Sequence, residues 1–256
     1  MKVTILGGGH IGGACALGLA KSGVDVTVTA RSEATLSRYA GTGIRAMKDN
    51  AEAVRGADIV VIAVKTAQAE GLAGEIRASL EPWQTVACMA AQVTPEQLEA
   101  WLAREDSGCP GIAYVIPNTA VEISAGFTFI ADVSAGEKAV SALKELFSLL
   151  GECMVVDYAM LPAGISVASC GIAYAFKYIS ASVRGAEELG FTREEAMKAV
   201  CGTVLGAVRL VSAHGEDPEL EVRRVATPGG LTEQGVRAMD AAGFDEAVAD
   251  GLKAWL

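Results

Sequence analysis

The chain opens on Val3-Thr-Ile-Leu6, passes at once into Gly7-Gly-Gly9-His-Ile-Gly12, and continues through the small-residue stretch Gly13–Ala20. A β-branched strand, a G-x-G-x-x-G loop and a helix in that order constrain the fold more than any other feature. Gly7 permits a tight turn, Gly9 lets the backbone approach a pyrophosphate, and Gly12 lets the helix lie against the strand. The first N–H groups of that helix and its positive dipole end then face the phosphates. Gly7, Gly9, His10, Ile11 and Gly12 are therefore candidate dinucleotide-binding residues.

The rest of the first part alternates apolar β-branched runs with helical stretches. Val24–Ala30, Ile59–Val64, Thr85–Met89, Ala113–Ile116, Phe127–Ile130 and Met154–Val156 read as strands. Glu33–Tyr39, Thr66–Leu80, Pro95–Arg104 and Lys138–Leu150 read as helices. Such alternation predicts a parallel sheet with helices on both faces. Thr94-Pro-Glu-Gln97, Ser134-Ala-Gly-Glu137 and Thr192-Arg-Glu-Glu195 have the spacing of capping boxes, and Asp217-Pro218 that of a cap with a first-turn proline. After Asp157 the β-rich runs stop, and helix-length segments follow over 163–189, 193–214, 218–224, 232–242 and 246–256. The fold class is α/β. Residues 1–156 form an N-terminal Rossmann-type doubly wound parallel sheet, and residues 157–256 a C-terminal all-helical dimerisation domain.

Hydrophobic residues make up 51% of the 256, and the formal net charge is −10. The first value supports a sizeable core, and the second argues against a nucleic-acid partner, which needs clustered Lys and Arg. Tyr158–Phe176 carries no charge but includes Pro162, Gly164, Ser166, Ser169 and Gly171. It reads as a helix buried by a second copy of the chain, giving an interlocked homodimer, rather than as a membrane span. The start of the chain shows no targeting pattern. The six cysteines form no C-x-x-C pair and lie near no histidine at ligand spacing, so no metal site is expected. They read as small hydrophobes of a reducing cytoplasm.

The end of the second strand bears on the nucleotide. An NAD site usually places Asp or Glu there, to hold the ribose 2′-hydroxyl. Here the sequence is Thr29-Ala-Arg31-Ser32. Arg31 can pair with a 2′-phosphate and Ser32 can donate a hydrogen bond to it, so NADP(H) is expected over NAD(H).

An ordered set of further motifs resembles the pyrroline-5-carboxylate reductase family. The set comprises Asn50–Val54, Ile59–Lys65, Ala90-Ala91, Ile116-Pro-Asn-Thr119, Ala173-Tyr174 and Thr227-Pro-Gly-Gly-Leu-Thr232. The resemblance implies that Asn50 touches the NADP ribose, that Ala63, Val64 and Lys65 pack on the nucleotide, and that Ala90 lines the nicotinamide. It also implies a substrate site drawn from Asn118, Thr119, Gly229, Gly230 and Leu231, with the Pro-Gly-Gly loop supplied by a partner subunit. Dimers of the family often stack further. The sequence departs from the family at Gln92, Ala120, Ile172 and Ser180, all around the expected substrate pocket.

Read chemically, Pro228-Gly229-Gly230 before a helix is an anion site suited to a carboxylate. Thr232 would hold the substrate nitrogen or protonate it. His10 and His214 are the only histidines, and poverty in acid–base groups suits a protonated imine, which is already electrophilic. A keto acid needs a stronger donor, for which Lys177 in the long helix is the candidate. The expected function is therefore NADPH-dependent reduction of a cyclic imine carboxylate. The alternatives are a keto- or hydroxy-acid reductase using Lys177, and an inactive NADP-binding regulatory protein.

Overall fold

Ile59–Ile62 shows how the sheet is built. All four residues are buried, with Val60 and Ile62 in one apolar layer and Ile59 and Val61 in the other, as a side-chain period of two requires. Strands apolar on both faces need helices on both sides. The computed structural model describes residues 1–104 and 108–256. Among them, β1 (Lys2–Leu6), β2 (Asp25–Thr29), β3 (Arg45–Met47), β4 (Ile59–Ile62), β5 (Thr85–Cys88), β6 (Gly111–Pro117), β7 (Gly126–Asp132) and β8 (Gly151–Val155) form one sheet. Its order is β3-β2-β1-β4-β5-β6-β7-β8. The connecting helices are α1 (His10–Lys21), α2 (Glu33–Leu36), α3 (Asn50–Ala53), α4 (Thr66–Ile76), α5 (Pro95–Leu102) and α6 (Glu137–Ser148), and α7 (Leu161–Gly164) follows β8. Helices α1 and α6 pack on the layer of Ile5, Val28 and Val61, and α4 and α5 on that of Leu6, Val60 and Ile62. Strand β1 lies between β2 and β4, so the chain winds outward from it in both directions. The glycine loop therefore sits at the topological switch point, where open α/β sheets bind ligands.

The sheet is parallel from β3 through β6, but β7 runs antiparallel to β6, with Val115 opposite Ile130, and β8 parallel to β7. Connection length explains this departure from an all-parallel sheet. Residues 118–125 are too few for a crossover helix and make only a 3₁₀ turn, Thr119–Ile123. The next connection carries α6 and so returns parallel to β7. The capping boxes at Thr94 and Thr192 form as expected. The one expected at Ser134 does not: α6 starts after Gly136 at φ +82°, and Ser134 Oγ instead accepts from Ile112 N–H at 3.2 Å. Asp132 has taken the free N–H groups of Ala135 and Gly136, at 2.9 and 3.2 Å. Among the cysteines, Cys15 and Cys88 are buried, which pushes their thiols up to about 12 and about 11. Cys109, Cys153 and Cys170 are half-buried, and Cys201 is exposed.

The chain divides into two compact units, Met1–Cys170 and Gly171–Leu256. Residues 157–170, assigned by sequence to the helical domain, belong to the first unit. There Gly164 lies so close to Phe129 that a Cβ would stand 2.9 Å from the ring, and Ser166 is buried. Ile165–Cys170 is π-helical. The second unit holds α8 (Gly171–Glu188), α9 (Arg193–His214), α10 (Pro218–Val225), α11 (Leu231–Ala241) and α12 (Phe244–Lys253). Tyr174 Oη donates to the Gly251 carbonyl at 2.8 Å, tying α8 to α12. Among the described residues of this unit only Val183 and Ala196 are buried. Met197, Cys201, Leu205 and Val208 make an exposed apolar stripe along α9 at helical spacing. The runs Tyr158–Glu188 and Arg193–His214 are long and apolar enough to cross a membrane. However, α9 carries Lys198 and Arg209 within its length, which suits a one-sided contact with protein better than lipid on all sides.

Candidate active site

The loop after β1 is fixed by its own backbone. Gly7 and Gly8 N–H both donate to the Thr29 carbonyl, at 3.2 and 2.7 Å, and Gly7 adopts φ +108°. A Cβ on Gly12 would overlap the Gly7 carbonyl oxygen and lie 2.8 Å from Ala63 Cβ, so only glycine lets α1 approach β1 and β4 here. Gly9 is different: a Cβ there would meet nothing of the protein within 4 Å. Beneath the loop, Tyr39 Oη donates to the Gly8 carbonyl at 2.9 Å. Burial raises this phenol above its ordinary range, so it stays a donor. Helix α1 has no side-chain cap and no acidic residue in its first turn, which leaves its first N–H groups for an anion.

A cleft of about 1070 Å³ runs along the C-terminal edge of the sheet from this loop, large for a single small ligand. Its lining changes with strand order. Lys48, Arg31 and Ser32 follow β3 and β2, the glycine loop and Lys65 follow β1 and β4, and Met89, Ala91 and Pro117 lie at the ends of β5 and β6. Five interstrand steps of about 4.8 Å make this edge roughly 24 Å long. Gln68 turns its amide oxygen to Arg31, which donates from Nη2 at 2.7 Å and Nη1 at 3.1 Å. Ser32 Oγ accepts from Thr35 N–H at 3.2 Å and lies 2.9 Å from Thr35 Oγ1. Asn50 Nδ2 donates to Glu75 Oε2 at 2.6 Å.

Of the residues expected to bind cofactor, Gly7, Gly9, His10, Ile11, Arg31, Ser32, Asn50, Ala63, Val64 and Lys65 line this cleft. Gly12 and Ala90 do not. Gly12 is buried between α1 and the sheet, and Ala90 is buried in the core while its neighbours Met89 and Ala91 face the cleft. The chain turns after β5, and the residue that faces out shifts by one. Asn118 and Thr119 also lie off the lining, which ends on Ile116 and Pro117. Asn118 Oδ1 instead accepts from Ala120 and Phe127 N–H at 3.2 and 3.3 Å, shaping the turn into β7. Sequence reading missed Lys48, Thr35, Gln68, and the π-helical Ile165 and Ser169, which also line the cleft. π-Helical segments are frequent at functional sites, but nothing in local composition announces one.

The remaining candidates lie in the second unit. Thr232 is exposed in the first turn of α11, and Leu231 before it is 87% exposed. Gly229 has φ +74°, and its N–H donates to Glu233 Oε2 at 2.7 Å. That hydrogen bond, followed by Arg237, holds the Glu233 carboxyl below its ordinary range. Gly230 N–H is taken by the Thr227 carbonyl at 2.9 Å. Lys177 is exposed on α8.

The family model described as pyrroline-5-carboxylate reductase dimerisation matches residues 159–256, and one described as NADP oxidoreductase, coenzyme F420-dependent, matches residues 2–92. Pyrroline-5-carboxylate reductase 2 of Bacillus subtilis is 28% identical, over 96% of this chain and 90% of its own length. Along nearly its whole length the chain is similar to pyrroline-5-carboxylate reductases. Pyrroline-5-carboxylate reductase 1 of Dictyostelium discoideum is 27% identical over 98% of this chain, which spans about half (48%) of that longer relative. In fold, the chain is similar to the structure of Plasmodium falciparum pyrroline carboxylate reductase with NADP bound. The TM-score is 0.89 at 21% identity, covering 99% of this chain and 95% of the other. The two family models thus divide the features of the chain: one spans the glycine loop through Ala91, the other the Thr227–Thr232 motif.

Proposed function

We propose that this protein reduces a cyclic imine bearing a carboxylate, 1-pyrroline-5-carboxylate or a near relative, with NADPH as the preferred donor. The observation that carries the reading is the gradient along the cleft. Cations and hydroxyls line the β2–β3 side, a glycine loop the middle, and Met89, Ala91, Ile116, Pro117 and Ile165 the β5–β6 side. These residues fit NADP: the open space at Gly9 and the uncapped α1 suit the pyrophosphate, and Arg31, steadied by Gln68, suits the 2′-phosphate. Bound NADPH supplies the hydride. The apolar side excludes water and holds the protonated imine without needing a strong acid. The Gly229 N–H is the proposed donor to the substrate carboxylate, while Gly230, whose N–H is held by the Thr227 carbonyl, shapes the loop. Gly229 already holds a carboxylate oxygen, that of Glu233. Thr232 is the proposed contact to the substrate nitrogen.

The largely unburied second unit supports a homodimer, with the α9 stripe covered by a second copy. Six free cysteines support a reducing, cytoplasmic compartment. Steady-state kinetics of two variants test the mechanism. Thr232→Ala is expected to lower kcat/KM for the imine by about 100-fold, with NADPH affinity retained and Lys177→Ala close to wild type. Loss of keto-acid turnover in Lys177→Ala, with Thr232→Ala active, would replace the imine reading by the keto-acid one.

A further inference from the structure

Lys48 lies one residue beyond β3, and β3 pairs with β2 so that Met47 stands opposite Thr29. Ala30 N–H donates to the Met47 carbonyl at 3.2 Å. The chain therefore leaves the two strands side by side, and both Arg31 and Lys48 line the same cleft. Their partners differ. Arg31 is held by the neutral Gln68 amide, so its charge is not cancelled. Lys48 Nζ lies 2.6 Å from Glu33 Oε1, and the two side chains are 54% and 79% exposed. An exposed ion pair of this kind contributes little and gives way to a stronger anion. A phosphate monoester, with nearly two negative charges and three acceptor oxygens, is such an anion. The hydroxyls of Ser32 and Thr35 line the cleft beside these cations.

We infer that Lys48 is a second, exchangeable cation for the 2′-phosphate of NADP, held by Glu33 in the free protein and passing to the phosphate when the nucleotide binds. Lys48 is then a specificity-determining residue, and Glu33 tunes affinity by competing for it. The inference rests on the reading of the cleft as an NADP site and adds a group to Arg31. A point-charge ammonium on a long stem can make this exchange, whereas the planar guanidinium fixed by Gln68 marks the place.

Equilibrium titrations of the full chain with NADPH, NADH, 2′,5′-ADP and 5′-AMP test it. Lys48→Ala is expected to weaken NADPH and 2′,5′-ADP by about 10-fold, with NADH and 5′-AMP moving less than about twofold. Glu33→Gln is expected to tighten NADPH and 2′,5′-ADP by about threefold. If Lys48→Ala weakens NADPH and NADH equally, or neither, while Arg31→Ala selectively loses NADPH, the role of Lys48 is overturned and the NADP site stands. If the wild-type protein binds NADH as tightly as NADPH, and 2′,5′-ADP no better than 5′-AMP, both fall.

Discussion

Gly12→Ala is expected to lower the Tm of the free protein by about 5–10 °C and to abolish measurable NADPH binding. The added methyl would overlap the Gly7 carbonyl oxygen and crowd Ala63 Cβ at 2.8 Å. The Gly7 obstacle is backbone, so relief requires α1 to move away from β1 and β4. That movement breaks the turn in which Gly7 and Gly8 share the Thr29 carbonyl. Overpacking of this kind costs about 1–3 kcal/mol or more. The companion variant Gly9→Ala separates folding from binding. Its methyl meets no protein atom within 4 Å, so Tm should stay within about 2 °C of wild type. NADPH should nonetheless bind at least about 10-fold more weakly, because the methyl stands where the pyrophosphate approaches. Thermal unfolding and fluorescence titration of the two variants read both effects. A Gly9→Ala protein that binds NADPH like wild type would show that the loop does not cradle the nucleotide.

The second large effect concerns the helical unit. Leu205→Asp and Val208→Asp, one turn apart on α9, are expected to convert the protein to monomers at micromolar concentration and to remove turnover. Both side chains are about half exposed in the single chain, at 50% and 57%. A carboxylate introduced at a desolvated interface position costs about 2–5 kcal/mol. A loss of that size raises the dimer Kd by roughly 30- to 4000-fold. NADPH binding should persist, because every residue lining the cleft lies in the first unit. Light scattering after size-exclusion chromatography, run beside the activity assay, measures it. Wild-type protein that is monomeric and active would contradict the reading of this surface.

How much of this was legible in the sequence follows from how local each cause is. The glycine loop could be read because Gly7 and Gly12 are demanded by contacts within or next to the motif, and Arg31 because it replaces an expected acid at a fixed offset. Lys48 could not, since its place depends on the pairing of Met47 with Thr29 across β3, a short edge strand without a β-branched residue. The reversal at β7 is implicit in the short connection after Pro117, but only once β6 and β7 are known to be neighbours. The Ser134 capping box failed because Ile112, outside the pattern, takes both of its partners: its carbonyl accepts from Ser134 N–H, and its N–H donates to Ser134 Oγ. The π-helical Ile165–Cys170 follows Gly164, which packs against Phe129 of a distant segment, and no local pattern in the sequence marks it. The change in composition after Asp157 marks where the strands stop, close to residue 159, where the dimerisation family model begins, whereas the second compact unit starts at Gly171.

The most direct test of the central claim is NADPH oxidation by the purified wild-type protein with 1-pyrroline-5-carboxylate, beside NADH and a panel of keto acids. The account predicts turnover on the imine in the ordinary enzymatic range, about 1–1000 s⁻¹, faster with NADPH than with NADH at limiting cofactor, and none on the keto acids. Tight NADPH binding with no oxidation on the imine would contradict it, and would make Gln92, Ile172 and Ser180 marks of a different substrate or of a regulatory protein.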